Sequence, residues 1–260
     1  MPSLIALQAI SKLHAEYRNI TAKPEDAMIA ITLALPAESS GFVALVRNKR
    51  RTVSGDTEII YGEINQRPVT IFHTGIGQKA CQANLDNFLR VEHPDIWISS
   101  GFAGGVGEDL RVGDLFLAEN FSDRELLSAA QRLLADRNVR TAKLFTSTTI
   151  VDSTEQRNEI ARAQGALAID METETIARAC IARGIRMLSL RAISDSLDEP
   201  FPAPSHLLFD LEQQRTNGAK LVLYFLKRPT HIAGFIRFAN RIARARRILT
   251  NAIIAMLQDL

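Results

Sequence analysis

Cysteine is scarce in this chain. Cys81 and Cys180 are the only two in 260 residues. That is too few for a disulfide framework or a thiolate zinc site, so a reducing cytoplasm is the expected compartment. Long apolar runs are missing as well. No stretch approaches the ~18 residues that a spanning helix needs, and the opening MPSLIALQAISKLHAEY has no basic region ahead of an apolar one. The chain therefore reads as neither secreted nor integral to a membrane. The five histidines (His14, His73, His93, His206 and His231) show no metal-ligand spacing. Net charge is small, at +2, and a composition of 46% apolar and 23% charged residues excludes disordered, collagenous and coiled-coil classes. A chain of this length and composition can bury a substantial core.

The small net charge conceals an asymmetry. Residues 220–260 carry eight basic residues against Asp259 alone, a net +7, which leaves −5 for residues 1–219. An acidic body with a basic tail differs from the diffuse positive field of a nucleic-acid binder, so no nucleic-acid partner is expected.

Along the chain, short apolar runs alternate with amphipathic stretches, the pattern of a mostly parallel sheet covered by helices. Strands are predicted over Met28–Leu35, Glu58–Ile64, Val69–His73, Ile96–Ser100, Leu115–Asn120, Lys143–Ile150, Ala166–Met171 and Met187–Ile193. Helices are predicted over Gln78–Leu89, Asp123–Asp136, Ser153–Arg162, Glu172–Arg183 and Ser205–Leu226. A break at Lys227-Arg228-Pro229-Thr230 precedes a last helix reaching about Gln258. The expected organisation is a helical extension over 1–24, one α/β domain over 25–228 and a basic amphipathic helix over 229–260.

In open α/β sheets, ligands bind where strands end. Two glycine-bearing loops fall there, Thr74-Gly75-Ile76-Gly77 and Gly101-Phe102-Ala103-Gly104-Gly105. Each can be a plain tight turn, or can present amide N–H groups to a ligand. GIGQKA also fits the dinucleotide fingerprint G-x-G-x-x-A. The acid that fingerprint wants at the end of the next strand is absent, however, since that strand ends Ile98-Ser99-Ser100. Three acids also lie at strand ends: Glu38 in ALPAE, Glu172 in AIDME and Asp195 in RAISD. Singly, each is explained by a helix cap or a surface ion pair. Together, on successive parallel strands, they would meet at one sheet edge, where burial prepares carboxyl groups for proton transfer.

These segments in this order resemble the nucleoside phosphorylase and nucleosidase superfamily, particularly its methylthioadenosine/S-adenosylhomocysteine nucleosidases. The matching pieces are ALPAE (34–38), TGIG (74–77), SSGFAGGVGEDLRVGD (99–114), AIDMETETIA (168–177) and RAISDSLDE (191–199). The resemblance implies a three-layer α/β/α fold and cleavage of a purine N-glycosidic bond. It makes Asp195 the acid to the leaving base and Glu38 the residue that orients the attacking water. It makes Glu172 the grip on the ribose hydroxyls, with Met171 packed on the sugar and Thr74 and Gly75 beside the water. The base would lie between Phe102, Ala103 and Gly104 on one side and Ile150 on the other, with Ser194 next to the acid. No metal or redox cofactor is implied. Phosphate is the alternative nucleophile; Ser99 and Phe102 stand where many phosphorylases carry an Arg and a Ser, and Arg47, Arg50 and Arg51 are the remaining candidates to hold an anion. Two departures stand out: Thr173-Glu174 after Met-Glu, where small residues are usual, and ISDSLDE in place of ISDVAD. By resemblance the protein is a homodimer.

The last helix is predicted to carry an apolar stripe of Ile232, Phe235, Ile236, Ala239, Ile242, Ala243, Leu249, Ile253, Met256 and Leu257. Arg237, Arg241, Arg244 and Arg247 run beside it. Such a stripe packs on the domain or on a second subunit; a basic amphipathic helix can also lie on the inner face of a membrane. The tail resembles that of hopanoid-associated phosphorylases, which implies adenosylhopane as an alternative substrate. Readings of another class are a non-catalytic nucleoside- or lipid-binding module and a nicotinamide-dependent oxidoreductase.

Overall fold

The computed structural model describes residues 27–107, 110–199 and 232–259. The helical extension predicted over 1–24, the helix predicted over Ser205–Leu226 and the Lys-Arg-Pro break lie outside the described residues.

Ile29, Ile31 and Leu33 alternate with Ala30 and Thr32, and the two-residue period of a strand sends one set to each face of a sheet. Strand β1 (Ile29–Leu33) is accordingly buried along its whole length. It pairs in parallel with β4 (Arg67–His73) on one side and β5 (Ile96–Gly105) on the other. The remaining strands are β2 (Arg47–Ser54), β3 (Thr57–Ile64), β6 (Leu115–Ala118), β7 (Val139–Ala142) and β10 (Arg186–Asp195), in the order β2-β3-β4-β1-β5-β10-β6-β7. The four central strands are parallel, whereas β2–β3, β3–β4 and β10–β6 are antiparallel, so the sheet is mixed. Two short strands, β8 (Leu144–Thr146) and β9 (Ala168–Asp170), attach off this path.

Helices cover both faces. Phe42 of α1 (Pro36–Leu45) and Leu126 and Ala130 of α3 (Arg124–Leu133) pack with Ile29, Ile31 and Leu33. Leu249, Ile253 and Met256 of α6 (Ile232–Asp259) join the same cluster. On the other face, α2 (Gln78–Leu89) and α5 (Thr173–Ile181) bring Leu85, Phe88, Ile176 and Cys180 against Ala30, Phe72 and Trp97. There Phe72 stacks on Phe88 at 4.2 Å between centroids, with Trp97 edge-on to both. The Trp97 Nε1–H donates to Thr32 Oγ1 at 3.1 Å, which satisfies the one polar atom of that cluster's largest side chain. The fold is the three-layer α/β/α arrangement expected. Both cysteines are buried and free.

Elements that periodicity did not announce have physical reasons for their silence. Helix α1 begins with Pro36 at its first position and buries only Ser39 and Phe42, so it has no apolar stripe. Strand β2 is exposed along nearly all its length and polar in seven of eight positions; it forms as a charged edge on β3, with Arg51 paired to Glu58 at 2.9 Å. The strand predicted over Lys143–Ile150 stops at Thr146, because the Ser147 hydroxyl turns the chain by donating to the Thr149 carbonyl at 2.7 Å. Arg47, Arg50 and Arg51 all lie on β2; Arg50 sits over the Tyr61 ring, and none lines the central cavity described below.

The face that α6 buries differs from the predicted stripe. Ala245, Leu249, Ala252, Ile253, Met256 and Leu257 are buried in the core, whereas Ile236 is 54% exposed and Ala239 and Ala243 face outward. Continued toward the helix N-terminus at alternating steps of four and three, the buried line passes through Ile242 and Phe238. The predicted stripe shares Ile242 with this line but runs on through Ala239, Phe235 and Ile236 in place of Phe238. No helix among the described residues is long and apolar enough to cross a membrane.

Leu249→Ala should therefore cost about 2–5 kcal/mol in denaturant unfolding, the range for a core leucine. Ile236→Ala should stay within about 0.5 kcal/mol. Equal, small losses would show that α6 does not belong to the core.

Candidate active site

At its C-terminal end β5 outruns β1: β1 pairs with it only from Ile96 to Ser99, and β5 continues to Gly105. The overhang does two things. On one side it pairs with β10 as far as Asp195, and on the other it accepts β9 in antiparallel register, Gly104 opposite Ile169. Glu172 thus reaches the sheet edge from a short strand hung on β5, not from the end of a central parallel strand as the sequence suggested.

Asp195 closes β10 after a register shift between Ile193 and Asp195. Consecutive strand residues point to opposite faces. The irregularity lets Ser194 and Asp195 both face the same cavity, a common use of a bulge beside a site. Asp195 is 1% exposed. Its Oδ1 accepts from the Ser194 hydroxyl at 2.6 Å, and its Oδ2 accepts from Arg157 of α4 (Thr154–Gln164).

Glu172 stands at the start of α5 without capping it. Its Oε1 instead accepts the Gly77 N–H, at 2.6 Å, at the N-terminus of α2. Gly77 has φ +83 and ψ 162, a backbone region essentially open only to glycine. The glycine loop that could have cradled a pyrophosphate already holds a carboxylate of its own chain, which removes the physical basis of the nicotinamide reading. Glu38 occupies the first turn of α1, where its Oε2 accepts the Ala34 N–H at 3.2 Å. Gly101 of β5, at φ +144, passes so close that a Cβ there would lie 2.9 Å from that oxygen.

The three acids share one cavity of about 270 Å³. Leu35, Glu38, Met171, Glu172, Ser194 and Asp195 line it. Phe102, Ala103 and Gly104 form one wall, and Thr149, Ile150 and Val151 another. Ile76 and, from α6, Phe238 and Ile242 complete the lining. Of the residues singled out in the sequence, Thr74 and Gly75 are the exceptions. Neither lines the cavity; the Thr74 hydroxyl donates to the Gly75 carbonyl, and the Gly75 N–H to that of Ala34.

Burial dominates the electrostatics. It pushes the Glu38 carboxyl up to about 7 and the Glu172 carboxyl up to about 8, with Asp170 adding repulsion and Arg191 opposing it. Arg191 is 2% exposed and anchored on every side. It donates to Asp170 Oδ2 from Nε and Nη2 at 3.1 and 3.0 Å, to Ser99 through its carbonyl and hydroxyl, and to the Thr173 hydroxyl. Asp170 Oδ1 also accepts from Thr146. This pair joins β5, β8, β9, β10 and α5 beneath the cavity.

Sequence reasoning missed Arg157, Asp170 and the cavity-facing residues of α6. Arg157 sits in a polar helix that buries no other side chain, so nothing in the pattern distinguished it. The two departures from the family pattern have local partners. Glu174 pairs with Arg178 one turn on, at 2.5 Å, and Glu199 receives Arg241 of α6, also at 2.5 Å. Among the described residues no group of three or more His, Cys, Asp or Glu side chains is placed to hold a metal ion.

The sign of the pH effect on folding follows from the raised carboxyls. Between the ordinary glutamate value of 4.5 and about 8, folded Glu172 keeps a proton that the unfolded chain has lost. Stability therefore falls as pH rises through that window, by up to about 1.4 kcal/mol per pH unit for such a group, and levels off above it. Glu172→Gln should flatten the decline in Tm between pH 5 and 8, gaining more at pH 8 than at pH 5. An unchanged slope would mean that Glu172 is already ionised in the folded protein.

The comparisons with known proteins agree with this fold. The 5′-methylthioadenosine/S-adenosylhomocysteine nucleosidase of Neisseria meningitidis, in complex with methylthio-immucillin-A, superposes with a TM-score of 0.69 at 18% identity, over 90% of this chain and 100% of that one. The S-adenosylhomocysteine nucleosidase of Streptococcus pyogenes gives 0.71 at 17% identity, over 92% and 99%. The futalosine hydrolase of Helicobacter pylori gives 0.69 at 15%, over 90% and 98%. At these identities the likeness is one of fold. The sequence profile of the phosphorylase superfamily matches residues 28–131 and 118–227, most of the chain, and the chain belongs to that superfamily.

Proposed function

We propose that the protein is an N-glycosidase that releases free adenine from a 5′-substituted adenine nucleoside, with water as nucleophile. The observation that carries this reading is the convergence of Glu38, Glu172 and Asp195, from three distant parts of the chain, on one cavity of about 270 Å³.

The chemistry fits the arrangement. As the C1′–N9 bond breaks, its electron pair passes to the base and positive charge builds on the sugar. Asp195 supplies the proton that lets adenine leave neutral, while the base lies between Phe102–Gly104 and Ile150–Val151. Glu172 holds the ribose hydroxyls over Met171. Glu38 orients the water, accepts its proton as oxygen bonds to C1′, and returns it afterwards. Two carboxyls whose charged forms are costly in the resting protein become well matched to a cationic sugar. Their interaction is thus stronger in the transition state than in the ground state, which is what acceleration requires.

Water is favoured over phosphate by the charges in the cavity. Among the described residues four carboxyl groups (Glu38, Asp170, Glu172 and Asp195) line it, and the two buried guanidinium groups nearby, Arg157 and Arg191, are each bonded to one of them. A phosphate dianion would meet acids without a bidentate partner of its own.

Leu35, Ile76, Phe238 and Ile242 are among the apolar residues that line the cavity, and an apolar lining supports a nonpolar group at the 5′ carbon. Methylthioadenosine and S-adenosylhomocysteine are the small candidates, in keeping with the methylthio ligands of the neighbouring folds. The contribution of α6 to that side favours a second reading, an adenosine bearing a polycyclic hydrocarbon such as adenosylhopane, cleaved with phosphate.

Purified protein should release adenine from at least one of these nucleosides without phosphate. A strict phosphate requirement, with a sugar 1-phosphate as product, would replace water as the nucleophile. No adenine from any of them, despite measurable binding, would leave a nucleoside-binding module instead. Asp195→Asn should lose at least ~10² in turnover while staying folded by circular dichroism; near-normal rates would overturn the role given to Asp195.

A further inference from the structure

Thr74 and Gly75, which do not line the cavity, and His73, the last residue of β4, all bond to the segment that carries Glu38. The Thr74 N–H donates to the Leu33 carbonyl and the Gly75 N–H to the Ala34 carbonyl, both at 3.0 Å. The Thr74 carbonyl accepts in turn from Asn84 Nδ2 of α2, also at 3.0 Å. Residues 73–75 are thereby fixed to the end of β1 and to α2. They also fix Ala34, whose N–H holds Glu38 Oε2.

The first turn of α1 has no side-chain cap. Leu35 stands at the N-cap position without a capping bond, and Pro36 after it has no N–H. Ser39 supplies a tie of another kind. This residue is 1% exposed, and its hydroxyl lies 2.7 Å from His73 Nε2 and 3.3 Å from the Pro36 carbonyl. A hydroxyl has one hydrogen; with that hydrogen on the Pro36 carbonyl, the ring N–H of His73 is the donor to Ser39. Burial holds the imidazole below its ordinary value of 6.5, so at pH 7 the ring is neutral and carries one such hydrogen. Arg246 of α6 bonds the same turn at the Ala37 carbonyl and the Ser40 hydroxyl, both at 3.1 Å, but those bonds are exposed to solvent.

We propose that His73 and Ser39 are positioning residues that set where the Glu38 carboxyl stands in the cavity. Neither lines the cavity, so neither touches the nucleoside. Their bond locks the first turn of α1 to the end of β4, and the next two residues of the chain hold Ala34. The backbone of Glu38 and the amide that receives its carboxyl are thus referred to one frame. Loss of the tie lets the turn shift. A small shift matters greatly for a group that must meet both a water and a developing cation, and little for binding of the ground state.

This inference rests on the role given to Glu38 in the nucleosidase reading, and the test keeps the two apart. Adenine release is measured for the wild type, Ser39→Ala, His73→Leu, His73→Gln and the Ser39→Ala/His73→Leu double variant, and for each substitution combined with Glu38→Gln. Folding is followed by circular dichroism. Ser39→Ala and His73→Leu should each lower kcat about tenfold with KM held within about twofold. The double variant should lose no more than either, because both cut one bond. His73→Gln keeps an N–H donor and should recover most of the loss. Combined with Glu38→Gln, none of these substitutions should lower the residual rate further. A folded Ser39→Ala with the wild-type kcat overturns the proposal. An equal loss with and without Glu38 also overturns it, since that is what a merely structural role would give. Ser39→Ala removes a single oxygen and carries the test by itself should the histidine variants fail to fold. A wild type that releases no adenine refutes the nucleosidase reading, and Glu38→Gln with full turnover refutes the role of Glu38; either result takes this inference with it.

Discussion

Four carboxyl groups inside one hollow of a folded protein repel each other and resent the loss of water. How that cost is met governs most of what surrounds them. Two of the four, Asp170 and Asp195, are matched one to one with buried arginines. The other two, Glu38 and Glu172, are held by backbone N–H groups and have no direct cationic partner among the described residues. The division is chemically sensible. Removing one member of a buried ion pair leaves a lone charge and is strongly destabilising, so Asp170–Arg191 suits a foundation shared by four strands and a helix. A carboxyl held by amides alone stays close to neutrality and remains free to answer a charge that arrives with the substrate.

The same constraint explains why glycine appears where the acids do. An amide can be aimed at a carboxylate only if its own chain adopts the required backbone angles, and at Gly77 those angles are denied to residues with a Cβ. At Gly101 the reason is room as much as conformation, since the strand runs against the Glu38 oxygen. The loop that resembles a phosphate cradle is thus engaged with an internal anion.

Much of the arrangement was legible in the residues. Strands with strong two-residue alternation or continuous apolar character, such as Ile29–Leu33 and Ile96–Ser99, were identifiable because burial imposes that pattern, and helix α2 falls where it was predicted. Two of the residues proposed to carry the chemistry, Glu172 and Asp195, were visible as acids that close apolar runs. Arg157 was not visible, because its burial depends on a carbonyl of its own loop and on a strand 38 positions away in the chain, and neither leaves a periodic trace. The rotation of α6 escaped for a related reason. Its N-terminal half offers two apolar faces, and only the position of the cavity decides that Phe238 and Ile242 turn inward while Ile236 does not.

That last helix carries an implication for biosynthesis. Its second half packs over β10 and against α1 and α3, while Phe238 and Ile242, further up the same rod, line the hollow. A nascent polypeptide still tethered to the ribosome at residue 230 would own every acid of the site and yet lack both a wall and part of its hydrophobic layer. A complete cavity would then arise only when the last segment emerges and docks, however early the acids themselves had been made.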